Sequence, residues 1–262
     1  MRLLAEKVTT YYQRYNTEHD ERAIFACVYR KITSDLAITL DIPDEFDNPE
    51  WVADLAEKFA GRFMAAMDAI DAAIAKARVA GRSIPSKEDL LAVGPWGDVY
   101  LAICNGRGYV FESLVFSMMA HISYDLPQAV IVVGMSTNKR SNIRDYHRMN
   151  KVLGEQIDPI EKLVADDYQP TLKIIGKWAG RFGIFFTNYG IRSARSIAWY
   201  NADRLCDPIS QQKAMSSIKR STASFIDLVR YPPERLLRLL VRLARLLIPR
   251  RHQWPKSEIT TQ

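Results

Sequence analysis

The sequence is poor in the residues that interrupt or crosslink a chain. Its 262 residues include only 12 glycines, 12 prolines and 3 cysteines. The cysteines are odd in number and far apart, which argues against a disulfide framework and indicates a reducing compartment. Hydrophobic residues make up 48% of the chain and charged residues 25%. This balance excludes disordered, collagenous and fibrous proteins.

The chain also has no long apolar run. A membrane-spanning helix needs about 20 mostly apolar residues, and the segment Met1–Lys7 lacks the apolar stretch of a secretory signal. We therefore expect a cytoplasmic protein, either soluble or peripheral to a membrane. The formal net charge of +6 is concentrated near the C-terminus rather than in an aromatic-laced patch, so nucleic acid is not expected as a partner.

The motifs of the common cofactor-dependent enzymes are missing as well. The sequence contains no GxGxxG, GxxxxGK[ST], GxSxG or HExxH pattern. This argues against nucleotide-dependent redox chemistry, P-loop phosphoryl transfer and the common serine hydrolases. Four histidines are too few for a histidine-rich multinuclear metal site. The expected cofactor is therefore none, or a single divalent metal ion.

Between its glycines and prolines the chain carries apolar residues at steps of three and four, the pattern of amphipathic helices. Residues 50–80 show it most clearly, introduced by Asn48 as a cap and Pro49 in the first turn. Gly94–Gly97 predicts a loop, and so does the polar, Asn- and Ser-rich stretch Met135–Asp145. Further helices are predicted at about residues 20–39, 145–165, 170–206, 210–229 and 233–248. We therefore predict an all-α fold, a single bundle-like domain.

One helix in the middle of the chain carries the first candidate site. The segment 112–125 is apolar nearly all round, which predicts a buried helix. Its polar exceptions recur four residues apart and so lie close to one line on the helix surface. They are Ser113, Ser117, His121 and Asp125, and Gln128 continues the line. Because a buried polar group without a hydrogen bond costs about 1 to 3 kcal/mol, such a line indicates a partner or a wet cavity.

His121 and Asp125 are the members of this line that bear chemistry. At i, i+4 both can bind one metal ion, or Asp125 can orient the imidazole so that His121 acts as a general base. The alternative is a satisfied hydrogen bond in the core. A closed, dry core around His121 would indicate this structural role, whereas a cavity would indicate catalysis or ligand binding. Pro127 predicts a kink or a helix end just beyond Asp125.

Two further clusters could complete a site. Asp145 is a candidate catalytic residue, or else the N-cap of the next helix, and Asn150 follows it. Arg195 and Trp199 share a helical face with Asp203, which permits an Arg–Asp pair. The alternative for this face is an anchor between packed helices, and Arg195 could also bind an anion.

The C-terminal segment differs from the rest of the chain. We divide the sequence into a helical domain, residues 1–230, and a segment, residues 231–262, that holds a basic amphipathic helix and a short tail after Pro249. A stripe of arginines on this helix fits an anionic membrane surface or a partner groove. The alternative is a docked helix with the stripe in solvent. The stripe consists of Arg235, Arg238, Arg242 and Arg245.

The run Met119–Leu126 resembles the signature N-A-H-I-N-x-D-L of a domain-of-unknown-function family found mainly in actinobacteria and some fungi. His121 and Asp125 match this signature, while Met119 and Ser123 stand where it has asparagine. Other runs are similar to further motifs of the family in the same order; they are Phe25–Thr33, Phe46–Pro49, Phe59–Phe63, Asp145–Asn150 and Arg195–Ala202. The resemblance implies an all-helical fold. It also implies that one site holds His121, Asp125, Asp145, Asn150 and Arg195. It implies no particular reaction.

The leading hypothesis is a helical enzyme that performs a non-redox cyclisation, elimination or hydrolysis on a lipophilic metabolite. The expected catalytic residues are His121, Asp125 and Asp145, of which His121 and Asp125 are also the expected ligands of any metal. The expected substrate-binding residues are Ser117, Gln128, Asn150, Arg195 and Trp199. One competing hypothesis is a non-catalytic lipid or metabolite carrier at membrane surfaces. Another is a purely structural helical module.

Overall fold

The computed structural model describes residues 1–104, 109–134, 139–170, 188–235, 238–239, 242–243 and 253–255. In these ranges the chain forms ten α-helices, one 3₁₀ helix and one π-helical turn, and no strand. The all-α prediction is therefore confirmed. None of the helices in these ranges combines the length and the apolarity that crossing a bilayer requires.

The helices follow one another with short connections. The α-helices are α1 Arg2–Thr17, α2 Arg22–Thr39, α3 Pro49–Val79, α4 Pro95–Ile103, α5 Val110–Ala120, α6 Leu126–Val133, α7 Lys139–Glu155, α8 Ile157–Asp167, α9 Asn188–Cys206 and α10 Gln211–Arg230. The 3₁₀ helix Glu88–Val93 precedes α4, and the π turn His121–Asp125 joins α5 to α6.

Helix α3 is the longest element and forms as its sequence predicts. Asn48 is its N-cap, with the Asn48 side chain accepting a hydrogen bond from the Trp51 N–H, and Pro49 lies in the first turn. Its 31 residues extend over roughly 46 Å at 1.5 Å per residue. The helix can therefore contact both early and late parts of the bundle. It packs against α1, α6, α7 and the π turn.

The helix that bears the polar line does not end near Pro127, so that alternative was wrong. The N–H of Leu126 instead donates to the carbonyl of His121, five residues back, which widens one turn into a π turn. Proline has no N–H, and its ring crowds the carbonyl four residues back, here that of Ser123. A wider turn gives that carbonyl room, and α6 then continues to Gly134, where φ is 81°.

Three other predictions of local structure were wrong in part. Helix α7 begins at Lys139, so residues 139–145 of the predicted loop Met135–Asp145 are helical. Residues 135–138 lie outside the described residues. The helix predicted over 145–165 is two helices with a break at Gln156, because Pro159 in the first turn of α8 cannot continue α7. At Gly94 the chain does turn, with φ of 65°, but α4 starts directly after it.

The π turn lies at the centre of the bundle. Helix α1 pairs with α2, α2 packs on α5, α6 packs on α3 and α9, and α10 packs on α4 and α9. The π turn itself contacts α3, α9 and α10 as well as its neighbours α5 and α6. Residues 253–255 lie against the domain, with the Trp254 ring stacked on His19 and the Gln253 N–H donating to the carbonyl of Tyr168.

Candidate functional site

His121 is enclosed by aromatic rings from three helices. Its side chain is almost wholly buried, and its ring stacks on Phe59 of α3 with ring centroids 3.6 Å apart and an angle of 5° between the planes. Tyr29 and Phe25 of α2 meet the imidazole edge-on at 4.6 Å and 5.6 Å. Phe63 and Trp96 lie at 6.0 Å and 6.2 Å. The π turn thus places His121 in an aromatic box.

The hydrogen bonds in this box fix the tautomer of His121. An indole N–H can only donate, so Asp125 Oδ2, at 2.8 Å from Trp96 Nε1, is an acceptor. The same oxygen lies 2.9 Å from His121 Nδ1, and an ionised carboxylate only accepts, so we assign the imidazole proton to Nδ1. In the neutral imidazole the other nitrogen, Nε2, then holds a free lone pair.

The lone pair of Nε2 has no partner. Nε2 is fully enclosed and makes no hydrogen bond. Burial lowers the pKa of His121, and the hydrogen bond and charge of Asp125 offset this only in part. The imidazole is therefore neutral near pH 7, with Nε2 as an unprotonated, enclosed base held in a fixed direction.

The space around the box is small. A cavity of about 10 Å³ lies beside it, lined among others by Phe25, Phe63, Trp96 and Ser117. That volume is about what one water molecule needs. The core around His121 is therefore closed, the arrangement that the sequence associates with a structural role.

The described residues do not offer a complete metal site. No group of three or more His, Cys, Asp or Glu side chains converges within the described ranges. His121 Nδ1 and Asp125 Oδ2 are bonded to each other, so one imidazole nitrogen, Nε2, is left for an ion. A structural or catalytic zinc site uses at least three protein ligands, and these residues do not supply them.

Two other members of the polar line lie nearby but do not reach His121. Ser117 is buried and lines the small cavity. Gln128 accepts a hydrogen bond from Arg62 Nη1 at 2.8 Å and donates to the carbonyl of Tyr124 at 2.7 Å. Both polar atoms of the Gln128 side chain are therefore hydrogen-bonded, and the residue connects α6 to α3.

Asp145 lies at a different place in the fold. It is inside α7 rather than at its start, so the N-cap alternative was wrong. Its two carboxylate oxygens accept the backbone N–H groups of Asp47 at 2.9 Å and Asn48 at 2.6 Å. Arg148 Nη1 lies 3.2 Å from the same carboxylate. Asp145 thus secures the chain that leads into α3, and no contact among the described residues joins it to His121.

Asn150 and Arg195 meet in a second buried cluster between α7 and α9. Arg195 Nε donates to Asn150 Oδ1, and Arg195 Nη2 donates to the carbonyl of Tyr146, both at 2.8 Å. The guanidinium lies over the Tyr146 ring, which also packs on Trp199. Asp203 is exposed and forms no ion pair with Arg195, so the Arg–Asp pair that the spacing permits is not formed.

Five aromatic residues of the box were not among the expected site residues. Phe25, Tyr29, Phe59 and Phe63 belong to two of the runs that carry the family resemblance, and that was the available signal. Trp96 had no such signal because it follows Gly94 and Pro95, which predict a loop. Only the turn at Gly94, together with the packing of α4 on α5, brings its indole to Asp125.

The fold and the site define an all-α domain built around a buried Trp–Asp–His network. The chain belongs to the family of unknown function DUF5995, whose model matches residues 3–232. This confirms the predicted membership in a domain-of-unknown-function family, while its source and signature motif stay predictions. No curated protein and no solved structure matches the chain.

Proposed function

We propose that the protein is a non-redox enzyme in which His121 Nε2 acts as a general base on a lipophilic small molecule. The observation that carries the proposal is the orphaned lone pair of Nε2 beside a fixed Nδ1–H···Asp125 hydrogen bond. A carboxylate that orients an imidazole and stabilises its protonated form is the recurrent arrangement of a catalytic base.

A purely structural role explains the closed core but not the choice of residue. An enclosed acceptor without a partner costs about 1 to 3 kcal/mol. A phenylalanine at position 121 would stack on Phe59 equally well and would not carry this penalty. A buried polar group that is unsatisfied in the resting protein is accounted for if a ligand satisfies it.

Each residue of the network has a defined part in the proposed reaction. His121 Nε2 removes a proton from a C–H group of the substrate or from a water molecule. Asp125 holds the ring and stabilises the imidazolium that forms, and the indole N–H of Trp96 holds Asp125. The aromatic walls offer apolar contact area to the rest of the substrate. Because the box is closed, a substrate reaches Nε2 only after side chains around it move.

The test is a search for solvent-marked products. The protein is incubated with a lipophilic extract of its source organism, once in D₂O and once in H₂¹⁸O, and products are identified by mass spectrometry. Deuterium at carbon indicates a step in which a carbon accepts a solvent proton, as in a cyclisation, and ¹⁸O indicates hydrolysis. A new product with neither label indicates an elimination, in which the proton taken up by His121 passes to solvent. His121→Phe should abolish formation of the product. Asp125→Asn should slow its formation, because the substitution weakens the hydrogen bond that orients the imidazole.

The matched control is Ser113→Ala. Ser113 lies on the same buried helix, two turns before His121, and its Oγ is also enclosed and unpartnered. This variant should leave product formation unchanged. Equal product formation by folded His121→Phe and wild type would overturn the proposal, and so would the absence of any new product with wild-type protein.

A second candidate function is binding to an anionic membrane surface, and a separate observation favours it. The structure describes residues 233–235, 238–239 and 242–243 of the predicted helix 233–248. Arg245 lies outside the described residues. Leu239 and Leu243 are 53% and 46% exposed, beside the exposed Arg238 and Arg242. Exposed leucines next to arginines are typical of helices that lie in a lipid interface.

Full-length protein should co-sediment with vesicles that contain phosphatidylserine, and salt should weaken this binding. The double variant Leu239→Ser/Leu243→Ser should lose it while the domain stays folded. Equal binding to neutral vesicles, or unchanged binding of the double variant, would contradict the membrane assignment.

A further inference from the structure

Arg195 carries a buried positive charge that no acidic residue of the described chain balances. Its side chain is only 5% exposed. Its hydrogen-bond acceptors are neutral, an amide oxygen of Asn150 and the carbonyl of Tyr146. Of the 30 acidic residues of the sequence, all except Glu258 lie in the described ranges, and none of these forms an ion pair with Arg195. Charges of this kind are normally paired when they are buried.

The guanidinium also has unused donors. It has five N–H groups, of which Nε and one on Nη2 are engaged. Nη1 makes no hydrogen bond to a described residue, and it is not among the fully enclosed unpartnered atoms. The planar group is held in place from three sides by Asn150, the Tyr146 carbonyl and the Tyr146 ring. A fixed guanidinium with a free edge matches the two oxygens of an oxyanion.

Two further groups lie near the Arg195 guanidinium, a second cation and an imidazole. Arg192 precedes Arg195 by three residues on α9 and is exposed. His147 of α7 is exposed, with its Nδ1 3.4 Å from Asn150 Nδ2. Burial lowers the pKa of His147, and the charges of Arg195 and Arg192 lower it further, so both cations act on this side chain. Arg192 and Arg195 lie about one turn apart on α9, and the charges of both act on His147 of α7. The three groups therefore lie along one rim between α7 and α9.

We propose that Arg195, with Arg192 and His147, forms a binding site for an oxyanion, the carboxylate or phosphate group of a ligand. This inference is independent of the role of His121. The oxyanion pairs with the free edge of Arg195, and Arg192 adds charge from the exposed side.

The test measures thermal stability of the full chain in inorganic phosphate, acetate and chloride at equal ionic strength. A ligand that binds only the folded state raises Tm in a saturable manner. Phosphate or acetate should do so where chloride does not, and the stronger of the two identifies the anionic group of the ligand. Arg195→Met should abolish the shift, and Arg192→Ala should weaken the apparent affinity by up to about fivefold, because an exposed charged contact contributes only modestly.

The control variant is Arg204→Ala, on the same helix, where the guanidinium contacts Asn201 and Tyr200. It should keep the full shift. An NMR titration of His147 serves as a second readout, because a bound oxyanion offsets the two arginines and raises the pKa of His147. This titration uses wild-type protein, so it tests the proposed oxyanion site even if Arg195→Met does not fold. Equal effects of chloride and phosphate, or an unchanged shift in Arg192→Ala, would overturn the proposal.

Discussion

Replacing Asp145 by alanine removes the acceptor that holds the entry to α3. Its carboxylate is 0% exposed and accepts the N–H groups of Asp47 and Asn48. Hydrogen bonds to a charged group contribute about 1.5 to 3 kcal/mol each. Because Asp47 is exposed and Asn48 half-buried, water partly replaces the lost acceptor. The two bonds together would contribute about 3 to 6 kcal/mol, and replacement by water reduces the loss. We therefore expect Asp145→Ala to lower the free energy of unfolding by about 2 to 4 kcal/mol.

The assay is urea unfolding followed by circular dichroism, in which the midpoint should fall without a change of slope. Asp145→Asn keeps one acceptor oxygen and should lose about half as much stability. Arg148→Ala removes a half-buried guanidinium that pairs with Asp145 and Asp47. It should lose clearly less stability than Asp145→Ala, because the two backbone N–H groups keep their acceptor. A loss below about 1 kcal/mol in Asp145→Ala, or an equal loss in Arg148→Ala, would refute this reasoning.

Two other predictions concern glycine and histidine. Gly61→Ala should raise stability by about 0.5 to 1 kcal/mol because the added Cβ meets nothing within 4 Å inside helix α3. Gly97→Ala should lower it by about 1 to 3 kcal/mol because its Cβ would lie 2.9 Å from the Leu90 carbonyl oxygen; equal Tm values for the two variants would contradict both. The pKa of His121 is lowered in the folded protein, so as the pH falls His121 is protonated in the unfolded chain before it is protonated in the folded one. Stability should therefore fall as pH drops below about 6.5, by up to about 1.4 kcal/mol per unit. This slope should shrink more in His121→Phe than in His147→Asn, because the pKa of His147 is also lowered but its side chain is exposed.

The parts of the fold that were predictable rest on local signals. The start of α3 follows from Asn48 and Pro49, which act within one turn, and its apolar spacing continues over many turns. The start of α7 was missed because its polar residues suggest a loop. Asn142 of that segment is buried and accepts a hydrogen bond from the Asn48 side chain at 3.3 Å, a contact across 94 residues that no local pattern contains.

The same distinction applies to the site. The pairing of His121 with Asp125 could be predicted because both lie on one helix at i, i+4. Trp96, the third member of the network, could not, since its position depends on how α4 packs. The resemblance implied a single site, but the described contacts distribute its five residues over three places: the His121 network with Asp125, the Arg195 cluster with Asn150, and Asp145 at the entry to α3. Side chains far apart in the sequence converge only through helix packing, which the sequence does not show directly.

The proposed base is tested most directly by the ¹⁵N chemical shifts of the His121 imidazole in uniformly labelled protein at pH 7. The account predicts a neutral ring with the proton on Nδ1 and a pyridine-like Nε2 that no hydrogen bond perturbs. Addition of the substrate that the labelling experiment identifies should then perturb Nε2. A proton on Nε2, or a doubly protonated ring in the resting protein, would contradict the claim that His121 offers a free base.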